Sequence, residues 1–211
     1  QYLKLLKAER KFRMSCNTPD IETERLLLRK FNEQDLPAVL SIFGDEEVNR
    51  FLPWFPLKSI DDAKEFYKKK YEEQYNQSKG YQYAICLKSD NIPIGYAKIN
   101  IDESYDLGYG LKKEFWHKGI VFEACKAIVQ QAKFDGIPYI TATHDINNPR
   151  SGNVMKRLGM QYQYSYLEQW QPKDIPVIFR MYQLNFDKSG SFVYRKYWNN
   201  SEKHFVETEN L

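Results

Sequence analysis

The chain has 211 residues, 42% hydrophobic and 16% aromatic, which is enough apolar material for one sizeable core and excludes disorder throughout. Its 31 basic and 28 acidic side chains leave a formal net charge of only +3, so bulk charge demands neither nucleic acid nor a membrane surface. No apolar run approaches the ~20 residues of a membrane span, no secretory leader is evident, and Cys16, Cys86 and Cys125 lack metal-type spacing, so a soluble, cytoplasmic protein without a metal is expected.

In chain order, residues 1–20 form an N-terminal extension in which Leu3, Leu5 and Leu6 lie among lysines before Asn17, Thr18, Pro19 and Asp20 interrupt them. A strand is expected over residues 22–29. Asn32 or Asp35 then caps a helix carrying Leu36, Val39, Leu40 and Phe43 at helical spacing. Pro53 and Pro56, flanking Trp54 and Phe55, force a loop. Ser59 caps a second helix with Ile60, Ala63, Phe66, Tyr67 and Tyr71 on one side, and Lys68, Lys69 and Lys70 on its solvated face. Three strands follow, over residues 83–87, 94–99 and 105–111, joined by short polar turns as an antiparallel meander. Gly119 opens a long amphipathic helix marked by Phe122, Cys125, Ile128, Val129 and Ala132, which ends near Gly136 and Pro138. The strand over 139–144 lies beyond that crossover and should run parallel to its predecessor. A short helix over 151–158 stops at Gly159, and strands near 161–168 and 177–185 complete the sheet. Residues 188–211 form a polar but aromatic tail with Phe192, Tyr194, Tyr197, Trp198 and Phe205, which suits a docked hook, a dimer arm or disorder.

The stretch from Asp106 to Gly159 is the richest in chemistry. A glycine at a helix mouth lets backbone N–H groups close on an anion, because no Cβ obstructs the approach and the helix dipole favours negative charge there. Gly119, preceded by His117 and Lys118, therefore suits a phosphate-bearing ligand. The plainer alternative makes Gly119 a helix-entry glycine and Lys118 a surface charge.

Three segments together carry a family resemblance over residues 21–187: Glu22 to Arg29, Trp116 to Ala124, and the run containing Asn148, Ser151, Lys156 and Gly159. The chain resembles the GNAT superfamily of acyl-CoA N-acyltransferases, in the branch that includes the RimJ and RimL ribosomal-protein N-acetyltransferases. The resemblance implies an α/β GNAT fold: a mixed, mostly antiparallel sheet of six to seven strands, helices on both faces, and a splay between the family's fourth and fifth strands. It also implies acetyl-CoA as co-substrate, bound by Leu111, His117, Lys118, Gly119, Ile120, Val121, Asn148 and Ser151. Its pantetheine would pair with the strand ending at Leu111 and its pyrophosphate would meet the N–H groups of residues 117–122. Trp116 and Val121 depart from the superfamily's usual residues at the outer positions of this signature, although tryptophan is common in the RimJ/RimL-like branch; Val121 would crowd the helix mouth.

In the resembled fold the amine attacks the thioester directly, so position matters more than a reactive side chain. Ser151 matches the serine expected near the sulfur, though a serine there is also an ordinary helix N-cap. Many members carry a tyrosine acid seven residues beyond the asparagine; Met155 stands there, which moves the acid role to Ser151 or water. Asp106 or His144 would serve as base, the latter with an ordinary pKa near ~6.5. Glu123 is read as a first-turn charge that supports the loop, and Trp54 and Phe55 as core or cleft lining. The acceptor is expected to be a protein N-terminal α-amine, with a small-molecule amine or a non-catalytic CoA-binding module as the alternatives. No membrane or direct nucleic-acid partner is expected, and a homodimer through the tail or a sheet edge is possible.

Overall fold

The computed structural model describes residues 16–186 and 191–208. Leu3, Leu5, Leu6, Met14 and Asp187 lie outside the described residues. Asn17 and Thr18, within the expected extension, are buried: the Asn17 amide donates to the carbonyls of Gln74 and Gln77 at 2.8 and 2.9 Å.

The chain opens with β1 (Ile21–Glu22) and β2 (Leu26–Arg29), which pair antiparallel with Ile21 opposite Leu28. One strand was expected over 22–29. The chain instead reverses at residues 23–25, where Thr23 N–H donates to the Leu26 carbonyl at 2.9 Å and Leu26 N–H donates to the Thr23 hydroxyl at 3.0 Å. Helix α1 (Leu36–Phe43) follows a reciprocal cap between Asn32 and Asp35. Helix α2 (Ile60–Tyr67) starts on a second such cap, between Ser59 and Asp62. The meander β3 (Tyr81–Leu87), β4 (Pro93–Ile99) and β5 (Leu107–Leu111) completes a sheet of order β1-β2-β3-β4-β5.

Helix α3 (Ile120–Phe134) crosses to β6 (Tyr139–Asp145), and helix α4 (Pro149–Arg157) leads to the long hairpin β7 (Gln161–Trp170) and β8 (Ile175–Asn185). The tail adds a short helix α5 (Lys196–Asn200) and a strand β9 (His204–Phe205), giving a second sheet of order β6-β8-β7-β9. The two sheets meet through one parallel bridge, Asp106 to Thr141, with Thr141 N–H donating to the Tyr105 carbonyl at 3.2 Å. Past it, β5 and β6 part.

The register decides what faces that gap. Asn100 N–H donates to the Asp106 carbonyl and Lys112 N–H to the Ile94 carbonyl, so even-numbered residues of β5 pair with β4. Antiparallel pairing alternates, so Leu107, Tyr109 and Leu111 turn their N–H and C=O groups towards β6.

Helices α3 and α4 cover one face over a core that includes Leu28, Ile85, Ile99, Leu107, Ile128 and Ile140. On the opposite face, α1 and α2 cover the first sheet through Phe31, Phe43, Tyr71 and Tyr96. The tail covers the second sheet, where Tyr194 is buried against Tyr164, Phe179 and Met181. The Tyr164 hydroxyl donates to the Tyr194 carbonyl at 2.6 Å, and Arg180 holds Glu207 with Nη2 at 2.6 Å from Oε2. Residues 191–208 thus dock on their own chain. Asp106, Gly108 and Gly110 lie on this face of β5, with Gly108 against the Lys98 stem and Gly110 against the Tyr96 ring.

Candidate active site

After β5 the chain makes a tight turn at Lys113–Phe115, and the Trp116 indole donates to the Leu111 carbonyl at 2.7 Å, closing off the strand end. His117 and Gly119 both adopt left-handed backbone, at φ 61° and 73°. A Cβ on Gly119 would approach only Arg25 Nη2, at 3.7 Å, and Arg157 Nη1, at 4.0 Å. The helix mouth is therefore open space faced by two guanidinium groups.

Those arginines arrive from different elements. Arg25 sits in the β1–β2 turn, donates through Nη1 to the Lys118 carbonyl at 3.0 Å, and pairs with Glu123 at 2.7 Å. Glu123 also accepts from the Thr23 hydroxyl at 2.6 Å and from Arg25 N–H at 3.0 Å. Burial alone would raise its pKa, but the bonds from Thr23 and Arg25 bring it below the ordinary value. Glu123 thereby ties helix α3 to the first hairpin. Arg157, at the end of α4, lies 4.0 Å over the Phe122 ring, and Arg150 lies 5.1 Å over Trp116. Arg150, Arg157 and Lys118 form no ion pair among the described residues, so their charge is free for an anion. A groove of about 670 Å³ leads from Lys118 and Gly119 past Phe122, Lys126 and Arg157. The Val121 side chain packs against the core, so the crowding expected of it does not arise at the mouth.

On the other side of the gap, α4 begins at Pro149, two residues earlier than expected. Asn148 holds the cap position without a side-chain cap bond, and its N–H donates to the Asp145 carbonyl at 2.8 Å. Ser151 is consequently a first-turn residue and not the N-cap. Its hydroxyl lies 3.0 Å from the Tyr109 hydroxyl, which also donates to the Ser151 carbonyl at 2.8 Å. Met155 is buried in the core.

The two candidate bases separate onto opposite faces. His144 shares the inward face of β6 with Ile140 and Ala142 and is 4% exposed. Its Nδ1 lies 2.8 Å from the Asp145 carbonyl, while Nε2 has no partner and abuts Gly152, where a Cβ would stand 2.6 Å from it. Burial lowers its pKa, which favours the neutral imidazole, and the ring lies beneath α4. Asp106, bridged to Thr141, lies on the other face, and its Oδ1 is out of solvent without a partner among the described residues. Burial pushes its carboxyl up to about 7, opposed by Lys98 and reinforced by Asp102 and Glu168. The Lys98 stem lies across Gly108, where a Cβ would be 3.0 Å from Cε, and its Nζ is 3.1 Å from Asn100 Oδ1. Burial lowers the pKa of that ammonium.

Among the described residues no cluster of His, Cys, Asp or Glu could hold a metal ion, and no helix is long and apolar enough to cross a membrane. A sheet parted between parallel neighbours, with helices over both faces, is the architecture of the acyl-CoA N-acyltransferases. Residues 25–161 match the acetyltransferase (GNAT) domain, and the chain belongs to that family, in its RimJ/RimL-like branch. It is an acetyl-CoA-dependent N-acetyltransferase that acts on an amine acceptor. It is 30% identical over 148 residues to the uncharacterized N-acetyltransferase YnaD of Bacillus subtilis (strain 168), covering 67% of this chain and 82% of that protein. A structure provisionally assigned as a ribosomal-protein-serine acetyltransferase from Vibrio cholerae superposes with a TM-score of 0.68 at 18% identity, covering 81% of this chain and 99% of that one. The microcin C7 self-immunity acetyltransferase MccE, solved with acetyl-CoA and AMP, superposes with a TM-score of 0.67 at 17% identity, covering 77% and 93%.

Proposed function

We propose that the chain transfers acetyl from acetyl-CoA to the α-amine of a protein N-terminus. The observation that carries this reading is the single carboxyl at the border of the two half-sheets: Asp106 is bridged to Thr141 and its Oδ1 is buried without a partner among the described residues. The turn of the β7–β8 hairpin is tied to the loop after α1, where Lys173 N–H donates to the Pro53 carbonyl at 3.3 Å and its Nζ to the Asn49 carbonyl at 3.1 Å. The assignment of the Vibrio cholerae neighbour names a ribosomal protein, which supports a protein as the acceptor.

The residues fit the co-substrate. The N–H groups of residues 117–121, with Lys118 and Arg157 beside them, would take the pyrophosphate, and the free N–H groups of Tyr109 and Leu111 would pair with the pantetheine arm. Asn148 lies at the start of α4, where that arm would pass. Ser151 would donate to the sulfur. Asp106, ionised above about 7, would take the proton of an incoming amine from the opposite face, directly or through water. The choice of amine follows: an α-amine with pKa of ~8 is appreciably neutral near pH 7.5, whereas a lysine at ~10.4 is neutral at about one part in a thousand. One near-neutral carboxylate suits the former.

The experiment is an acceptor panel read by CoA thiol release and product mass, comparing lysine-containing peptides with free and blocked N-termini and a polyamine. Acetylation confined to free N-termini is the expected result. Turnover on the polyamine or the blocked peptides alone would overturn the acceptor assignment.

A further inference from the structure

We infer that Tyr109 fills the place Met155 leaves empty, acting through Ser151 to supply the proton that the departing CoA thiolate needs. The inference rests on the proposed placement of the thioester beside Ser151.

The geometry is specific. Tyr109 leaves β5 on the face covered by α3 and α4, and its hydroxyl reaches across to the first turn of α4. There it meets Ser151 twice, at the carbonyl (2.8 Å) and at the hydroxyl (3.0 Å). Both residues keep some exposure, and the pair forms a rung between β5 and the first turn of α4.

Counting protons defines what the rung can do. A phenol has one proton, and while it is donated to the Ser151 carbonyl the phenolic oxygen is left to accept from the Ser151 hydroxyl. A rotation of both hydroxyls gives the other setting, in which Tyr109 donates to Ser151 Oγ and Ser151 donates outward to the sulfur. A hydroxyl that accepts while it donates is the stronger donor. Burial raises the Tyr109 pKa, so the phenol keeps its proton through the working range.

In the reaction the amine nitrogen forms a bond to the thioester carbon, the C–S bond breaks and sulfur keeps the electron pair. Ser151 Oγ–H protonates the sulfur and Tyr109 O–H replenishes Ser151. The amine loses its proton on the acceptor face, and solvent returns one to the phenol, so the balance closes. Tyr109 is thus a positioning residue for Ser151. His144 does not compete, because its unpartnered nitrogen faces Gly152.

The experiment compares wild type, Tyr109→Phe, Ser151→Ala and the double variant for kcat, CoA dissociation constant and pH dependence. Tyr109→Phe should lower kcat about 10- to 100-fold while CoA affinity stays within about twofold. Its deficit should shrink as pH falls and hydronium replaces the missing donor. The double variant should be no slower than the slower single one, as expected for two members of one relay. Unchanged kcat in Tyr109→Phe, or CoA affinity lost in step with kcat, would overturn the role of Tyr109 alone. A wild-type protein that releases thiol with no amine would overturn the functional reading as well.

Discussion

Replacing Asp106 by asparagine should make the protein more stable and less active, and both effects should depend on pH. The carboxyl has an ordinary value near 3.8 in the unfolded chain and about 7 in the fold. Each pKa unit is worth ~1.4 kcal/mol, so ionising Asp106 costs the folded state up to about 4 kcal/mol. Because the folded value is the higher, wild-type stability falls as pH rises from about 4 to about 7 and levels off above. Asparagine carries no such cost, though Lys98 loses its counter-charge, so the variant should gain about 2–4 kcal/mol at pH 8 and almost nothing at pH 4. Urea denaturation at several pH values measures this directly. The same substitution should lower kcat/KM by about 10²–10³, and the wild-type profile should rise through about 7. A stability difference that is flat between pH 4 and 8 would refute the proton-holding carboxyl. A rising limb preserved in the variant would assign the base elsewhere.

Gly119→Glu should weaken CoA binding by more than about a hundredfold in calorimetry, since it puts a carboxylate where Arg25 and Arg157 converge and a side chain at φ 73°. Unchanged affinity would mean that the anion binds elsewhere. Glu207→Ala should destabilise the chain by about 1–3 kcal/mol in urea, because Arg180 and Ser165 lose their shared half-buried acceptor. Hydrogen bonding to Arg180 holds the Glu207 pKa below its ordinary value, so this contribution is present at neutral pH and fades on acidification, and the gap between variant and wild type should narrow there.

The meander, the long helix and the parallel β6 were legible because apolar periodicity and glycine placement agreed locally. The first hairpin was not: Thr23, Glu24 and Arg25 carry no usual turn signal, and their reversal is held by Glu123, about a hundred residues away. The start of α4 was misplaced although Pro149 is a recognised first-turn residue, and with it Ser151 changed from a cap to a hydroxyl facing Tyr109. His144 could have been turned inward by counting alternation from Ile140 and Ala142. Tyr109 was legible by the same count only as a helix-facing residue; its partner depends on how α4 docks. The meeting of Arg25 and Arg157 at Gly119 joins three elements and no local pattern announces it.

The lone bridge between Asp106 and Thr141 makes the two half-sheets an unfinished structure along their shared border. A pantetheine arm lying against Tyr109 and Leu111 would act as an interior strand, lending main-chain partners that neither half can offer the other. Ligand affinity and fold stability would then draw on the same hydrogen bonds, so that a change weakening one is felt in the other.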